Sequence, residues 1–466
     1  MTRVVILGGG IAGLTAAFRR TSSGVTTVLE ASPALGGSVV TVREGGFVIE
    51  GGPSTLRTTE ATDRLLADLG LEPRIVKADG RAPRWIVRGG IPRAVVPGPA
   101  ALLNEVFTWK GKLRLLKEPF IPGRPPDLED ESVASFFARR FGPEAARYGA
   151  GPMVSGVYAG DPDSLSMRSA FPRLWLAETR SGSVVRDFLR GKEKRSEGAE
   201  QNGAGGTAGS GAPVRHRART LTFDTGLTLL IETLQQQLSL CPGCHIETGA
   251  AAAAVEGPLD AAGGGPRWRV RTADGRTFEA DTLVSTLGAP LVARLLGDRL
   301  PRSSTALAAM KSSAVTVVAL AWPDGPHAPK GFGALVPRGE GIRSLGVLYP
   351  SSLFENRAPA GSILTTSFLG GALDPALAAA PDAEVLAVAS EEAKRLHPAL
   401  PAPARSWIFR WPAAIPQLPL CHYRTLAALE DDLASLPGLV LTGAWRDGIA
   451  MGERIARGEA IGRSLA

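Results

Sequence analysis

With 466 residues, 44% apolar and 21% charged, and a formal net charge of +7, the chain can bury a large core, which excludes disorder as its main state. Three Cys exclude a disulfide framework, Gly 56 and Pro 36 without a Gly-X-Y period exclude a collagen-like rod, and 43 Arg against 9 Lys read as compositional bias rather than as a nucleic-acid footprint. No apolar stretch reaches the roughly 20 residues of a spanning helix, and no leader-like series precedes Arg3, so a cytoplasmic protein is expected.

Residues 3 to 13 run a β-branched stretch, Arg-Val-Val-Ile-Leu, straight into G-x-G-x-x-G at Gly8, Gly10 and Gly13. This order predicts a buried parallel strand, a tight glycine turn and a helix over Leu14 to Arg20. A second strand, Thr26 to Leu29, ends at Glu30, 17 positions past Gly13, where a ribose hydroxyl needs an acceptor. Gly8 permits the turn, Gly10 lets the backbone approach a pyrophosphate, and Gly13 lets helix and strand pack closely, with the helix N-terminus attracting phosphate charge. The unit predicts a dinucleotide site without choosing between NAD and FAD. Leu35-Gly36-Gly37-Ser38 and the run from Phe47 to Ser54 add two glycine-permissive loops suited to a long cofactor.

From about Pro99 to Arg190 helical patterns dominate. Within them Leu102, Leu103, Val106, Phe107 and Trp109, then Lys110, Lys112, Arg114 and Lys117, read either as a core-facing helix or as an interfacial membrane contact. Residues 191–220 lack an apolar period and are expected as a flexible loop. It ends in Arg215-His216-Arg217 and Arg219, a solvated charged edge or an anionic lipid contact. Strands recur from about Leu221. Cys241-Pro242-Gly243-Cys244-His245 matches C-x-x-C-H, yet it lies between a helical run and a strand, where a Pro-Gly turn suffices; neither haem nor a metal is expected. Alternation around Asp274-Gly275 predicts a hairpin, and Thr282 to Thr286 a further strand. Leu439 to Gly443 is another strand opening a glycine turn, with a helical tail to Leu465. Such units at both ends of the chain imply one nucleotide domain assembled from distant segments.

The N-terminal unit, the Glu50-Gly51-Gly52-Pro53 loop and the C-terminal strand-Gly-helix resemble the FAD-binding elements of the flavin amine oxidase superfamily. Within it, Ser155-Gly156-Val157-Tyr158-Ala159-Gly160-Asp161-Pro162 with Leu165-Ser166-Met167 resembles the oxygen-dependent protoporphyrinogen oxidases. The segments from Thr222 to Leu227, Gly331 to Pro337 and Trp411 to Gln417 agree, so the resemblance runs from Val4 to Leu465. It implies a mixed α/β architecture with a discontinuous Rossmann-like FAD domain (1–75, 221–300 and 430–466), a β-sheet substrate domain (76–98 and 301–429) and a helical domain (99–190).

The same resemblance implies FAD-dependent oxidation of protoporphyrinogen IX to protoporphyrin IX, six electrons leaving in three rounds, with oxygen as acceptor and hydrogen peroxide released. A porphyrinogen is an apolar macrocycle bearing carboxylates, which calls for an apolar slot and a cationic anchor. Residue by residue, Arg84 stands where the family binds a propionate; Leu335, Leu348 and Phe368 where the tetrapyrrole is sandwiched; Gly156 and Ala159 beside the flavin. FAD contacts fall on Gly8, Gly9, Gly10, Ile11, Ala12, Gly13, Glu30, Ser38, Gly52, Pro53, Ser54, Thr55, Ala252 through its backbone, Ala444, Ile449, Ala450 and Met451. A coproporphyrinogen III oxidase, an oxidase of small amines and a non-catalytic tetrapyrrole carrier remain open, as do a homodimer and a peripheral contact on the inner face of the cell membrane.

Overall fold

The computed structural model describes residues 2–20, 24–95, 104–190, 216, 218–260, 265–324 and 328–466. The expected flexible loop therefore lies almost wholly outside the described residues, as do Leu102, Leu103, Arg215 and Arg217.

Five parallel strands form one sheet in the order Cys244–Glu247, Val25–Leu29, Arg3–Leu7, Thr282–Ser285, Leu439–Leu441. Parallel strands are covered on both faces, so their sequences are near-continuous apolar runs. Val4 and Ile6 pack on one side with Leu14, Ile231 and Ile455; Val5 and Leu7 pack on the other with Leu283, Val292, Leu429 and Trp445. The first helix, Ile11–Arg19, begins three residues before the predicted Leu14. It is crossed by the C-terminal helix Met451–Ser464 at very short range. A Cβ on Gly458 would sit 2.4 Å from the Ala12 carbonyl oxygen, and one on Gly462 2.5 Å from that of Ala16. Two glycines four apart thus dock the chain's end against its beginning, and any side chain there would force the helices apart.

A second sheet of seven strands runs Arg405–Pro416, Ser312–Pro323, Ser362–Gly370, Gly346–Leu348, Gly333–Leu335, Arg84–Arg88, Ile91–Val95. Its back face, with Val318, Leu320, Trp322 and Leu369, is covered by Val385, Ala389 and Ala393 of the helix Asp382–Leu396. The predicted hairpin is present as Trp268–Thr272 paired with Thr277–Ala280. The described part of 104–190 contains helices and no strand; among them are Trp109–Leu116, Val133–Phe141, Gly151–Tyr158 and Pro172–Ser181. No described helix is long and apolar enough to cross a membrane.

One expectation is corrected. The charged end of the 191–220 segment is not simply a solvated edge: His216 Nε2 lies 2.7 Å from Asp63 Oδ2, and Arg219 donates to Asp63 Oδ1 at 2.6 Å. A carboxylate on the helix Glu60–Asp68 ties these side chains down.

Behind the seven-stranded sheet, His397 Nε2 lies 2.7 Å from the hydroxyl of the fully buried Tyr349. Burial pushes the His397 imidazole down to about 4. The unfolded chain therefore binds a proton that the folded chain refuses as pH falls from 6.5 towards 4. Allowing for partial solvation, folding loses about 2 kcal/mol across that window. Urea titrations at pH 7 and pH 4.5 should show the loss, and His397→Gln, which keeps a partner for Tyr349, should remove it. An equal loss in the variant would place the acid sensitivity elsewhere.

Candidate active site

Strand register gathers the site. Arg84 stands opposite Gly333, Gly333 opposite Leu348, and Leu348 opposite Thr366. The next row on the same face contains Ile86, Leu335, Gly346, Phe368, Val317 and Phe409. Directly opposed residues share a face and alternate residues return to it, so Arg84, Leu335, Leu348 and Phe368 all project from one side. On the other side of the same strands Ala334, Val347 and Leu369 are buried, whereas Leu335, Leu348 and Phe368 are only half-buried. These three apolar side chains thus keep part of their surface accessible on this face.

The helix Gly151–Tyr158 covers part of that face. A Cβ on Gly156 would lie 2.4 Å from Leu335 Cδ2, so helix and sheet approach because the residue is glycine. Ala159, in the left-handed region at φ 45°, ends the helix; its carbonyl accepts the Ala372 N–H at 2.8 Å. It packs with Val317 and Phe368. Arg84 is exposed, with its guanidinium carbon 5.0 Å from the centre of the Phe332 ring. Arg84 has no ion-pair partner among the described residues. The other arginines that the register places on this face are paired: Arg88 with Glu144, Arg93 with Glu105 and Arg405 with Glu44.

This sheet face meets the nucleotide elements at the Glu-Gly-Gly-Pro loop. Trp411 Nε1 donates to the Gly51 carbonyl at 2.7 Å, and a Cβ on Gly51 would sit 2.4 Å from the Phe409 ring. Gly52 approaches equally closely, its absent Cβ falling 2.0 Å from the Ser38 carbonyl oxygen. Below this loop, Glu50 accepts from Thr41 Oγ1 at 2.6 Å and from Leu227 N–H at 3.0 Å, and faces the buried Arg357 at 3.3 Å. Burial pushes the Glu50 carboxyl up and the Arg357 guanidinium down: desolvation outweighs their attraction, as is usual for buried pairs.

The residues present fit FAD. At the glycine turn Gly8 takes φ 105° and donates to the Leu29 carbonyl at 2.8 Å. Gly13 presses the helix onto the turn, its absent Cβ only 2.1 Å from the Gly8 carbonyl oxygen, while nothing lies within 4 Å of a Cβ on Gly10. Gly10 thus faces open space at the start of a helix that no side chain caps, the arrangement that accepts a pyrophosphate. Glu30 accepts Gly9 N–H at 2.7 Å and Ser32 N–H at 2.8 Å, leaving lone pairs for sugar hydroxyls. Ser54 Oγ is buried without a hydrogen-bond partner, beside Thr55 and Leu348.

Other expected contacts lie further apart. The side chains of Ile11, Ala12 and Met451 are buried, so backbone is what these positions offer. Ala252 lies on the antiparallel strand Ala252–Glu256, near the Glu30 turn through the Ala250 N–H to Glu30 carbonyl bond of 2.8 Å. Ala444 and Ile449 border a cavity of about 670 Å³ shared with Tyr158, Trp175, His422 and Tyr423; Ala450 leads into the C-terminal helix. Sequence reasoning missed Phe409, Trp411 and the Glu50–Arg357 pair as parts of this neighbourhood; the only signal was the Trp-Pro motif, whose place in the sheet it does not reveal.

A parallel nucleotide sheet that joins an accessible apolar sheet face at a glycine loop is the build of a dinucleotide-dependent oxidoreductase. The model of the flavin containing amine oxidoreductases matches residues 11–452, and the chain belongs to that family; its cofactor is FAD. It is 29% identical to protoporphyrinogen oxidase 1, chloroplastic, of Arabidopsis thaliana, covering 97% of this chain and 85% of that protein. It is also 29% identical to coproporphyrinogen III oxidase of Bacillus subtilis, covering 98% and 96%. A solved structure from Exiguobacterium sp. 255-15 superposes with a TM-score of 0.80 at 23% identity, over 100% of this chain and 98% of that one, which bears on the fold. The expected family, fold class, flavin and enzyme class are borne out.

Proposed function

We propose that the protein oxidises protoporphyrinogen IX to protoporphyrin IX with oxygen as acceptor. The observation that carries this reading is the half-buried row of Leu335, Leu348 and Phe368 on one sheet face with Arg84 at its margin. A flat apolar macrocycle lies against such a row, and a guanidinium holds one carboxylate in a fork. FAD, when bound, supplies the two-electron acceptor. The chain's own residues do the rest: Leu335, Leu348 and Phe368 exclude water and orient the ring, Gly156 leaves room for Leu335, and Arg84 fixes which edge of the substrate faces out. Tyr158, pushed up to about 12 by burial, donates to the Ala170 carbonyl at 3.0 Å and serves the architecture rather than proton transfer.

Protein relatives named for protoporphyrinogen and for coproporphyrinogen oxidation match about equally well. The pairing of Arg88, Arg93 and Arg405 with carboxylates, against an Arg84 without an ion-pair partner among the described residues, favours the substrate with fewer carboxylates. On this reading residues 1–75, 221–300 and 430–466 form the flavin domain, 76–98 and 301–429 the substrate domain, and 99–190 the helical domain. The helix Trp109–Leu116 leaves Trp109, Leu113 and Leu116 exposed, with Phe120 beyond it 80% exposed. This apolar margin next to Lys110, Lys112 and Lys117 fits a peripheral contact with an anionic leaflet.

Aerobic turnover of both porphyrinogens, followed by porphyrin fluorescence, tests the assignment. Faster oxidation of protoporphyrinogen IX supports it; preference for coproporphyrinogen III reassigns the substrate; a flavin that stays oxidised with both under anaerobic mixing rejects porphyrinogen oxidation. Gly156→Ala should lower kcat/KM about 3- to 10-fold by pushing Leu335 into the slot, a cost of about 1 kcal/mol, while flavin content stays full. Unchanged kinetics would remove the slot from beside Gly156.

A further inference from the structure

The C-x-x-C-H segment, which flavin chemistry leaves unused, lies at an edge of the parallel sheet. Cys244 opens the edge strand and stands opposite Thr26. Its N–H donates to the Cys241 carbonyl at 3.0 Å, the i to i+3 bond of a β-turn, which keeps the two Cα atoms within about 7 Å. An intramolecular disulfide bridges separations of about 4.4–6.8 Å, so closure needs little backbone movement. Both residues are half-buried free thiols, within reach of a small reagent. Near Cys244 lies Arg20, only 1% exposed. Its guanidinium donates to three neutral oxygens, Thr26 Oγ1 at 2.7 Å, the Thr2 carbonyl at 2.9 Å and the Val25 carbonyl at 3.2 Å.

We propose that Cys241 and Cys244 form a peroxide-responsive dithiol that closes to an intramolecular disulfide. The Cys241 thiolate attacks one oxygen of hydrogen peroxide; the O–O bond breaks, Cys241 becomes a sulfenic acid, and the departing hydroxide takes up the thiol proton as water. The Cys244 sulfur then attacks the Cys241 sulfur, the S–O bond breaks, and the Cys244 proton leaves with that hydroxyl as a second water. Two thiols lose two electrons in all, and one peroxide becomes two waters. The order follows from placement: Cys241 lies in the turn ahead of the strand, whereas Cys244 is held in strand pairing opposite Thr26, where burial pushes its thiol up. Its source of peroxide rests on the oxidase reading above, since oxygen reduction would release the oxidant. The bridge pins the start of the edge strand, whose Glu247 carbonyl already accepts the Glu30 N–H at 2.8 Å, so closure leaves the glycine turn in place.

The test exposes the flavin-loaded protein to added hydrogen peroxide, then labels free thiols under denaturing conditions and locates them by mass spectrometry. Cys241 and Cys244 should both lose their label, linked as one disulfide that dithiothreitol reopens, while Cys421 keeps its label. Cys244→Ser should leave a dimedone-reactive sulfenic acid on Cys241, and Cys241→Ser should leave Cys244 reduced. Retained label at both cysteines, parallel loss at Cys421, or faster oxidation of Cys244 than of Cys241 in the single variants would overturn the proposal. A second arm replaces added peroxide by aerobic turnover with protoporphyrinogen IX, with and without catalase. Closure by added peroxide but not by turnover keeps the dithiol and rejects oxygen as the acceptor.

Discussion

Gly10→Ala should yield a protein that folds like the parent and purifies without flavin. A methyl at this position meets no atom of the chain within 4 Å, so the urea midpoint of the flavin-free protein should not move. It projects into the open space at the start of the helix Ile11–Arg19 that we assign to the pyrophosphate, and loss of that approach should cost at least about 100-fold in flavin affinity, equivalent to about 2.7 kcal/mol. Gly13→Ala supplies the contrast. Its methyl falls 2.1 Å from the Gly8 carbonyl oxygen, and Gly8 is itself held by the Leu29 carbonyl at a positive φ. Relief requires the helix to move off the turn, so this variant loses flavin and also about 1–3 kcal/mol of stability. Absorbance of bound flavin and urea unfolding of the flavin-free forms separate the two effects. Full flavin content in Gly10→Ala would mean that this surface does not hold the cofactor, whatever Gly13→Ala does.

That contrast also shows which features a reader of the sequence can extract. The strand, turn and helix at residues 3 to 19 are legible because their determinants are local: an apolar run, glycines at fixed spacing, then helix formers. The slot is not local. Arg84 reaches Leu348 only through Gly333, and Leu335 reaches Phe368 only through Gly346, so the face depends on the register of strands separated by most of the chain. Family resemblance named these residues, while periodicity alone could not say that three of them stay half-buried. Gly458 and Gly462 mislead in another way. Glycine inside a helix weakens it, yet here the missing side chains allow the Ala12 and Ala16 carbonyls to be approached. The Arg215 to Arg219 cluster reads as solvated because Asp63, which holds His216 and Arg219, lies in a helix early in the chain.

Among the described residues Arg84 is the arginine of this face without an ion-pair partner, and its removal should act on binding more than on chemistry. Arg84→Ala should raise KM for protoporphyrinogen IX between about 10- and 100-fold, the worth of a charge-assisted pair at about 1.5–3 kcal/mol. Because Arg84 is exposed, added salt should weaken the parent enzyme's binding towards that of the variant. On the proposed reading the chemical step is set by how the macrocycle lies on Leu335, Leu348 and Phe368, so kcat should change much less. Arg84→Lys keeps the charge but loses the planar fork that rests near Phe332, and should recover only part of the affinity. A porphyrinogen with esterified propionates separates anchoring from general damage: it should bind parent and Arg84→Ala alike. If the ester discriminates between them as strongly as the acid does, Arg84 acts by shaping the strand Arg84–Arg88 and the carboxylate is held elsewhere. If instead KM rises for the acid alone, the guanidinium holds the propionate and fixes the register in which the ring meets the apolar row.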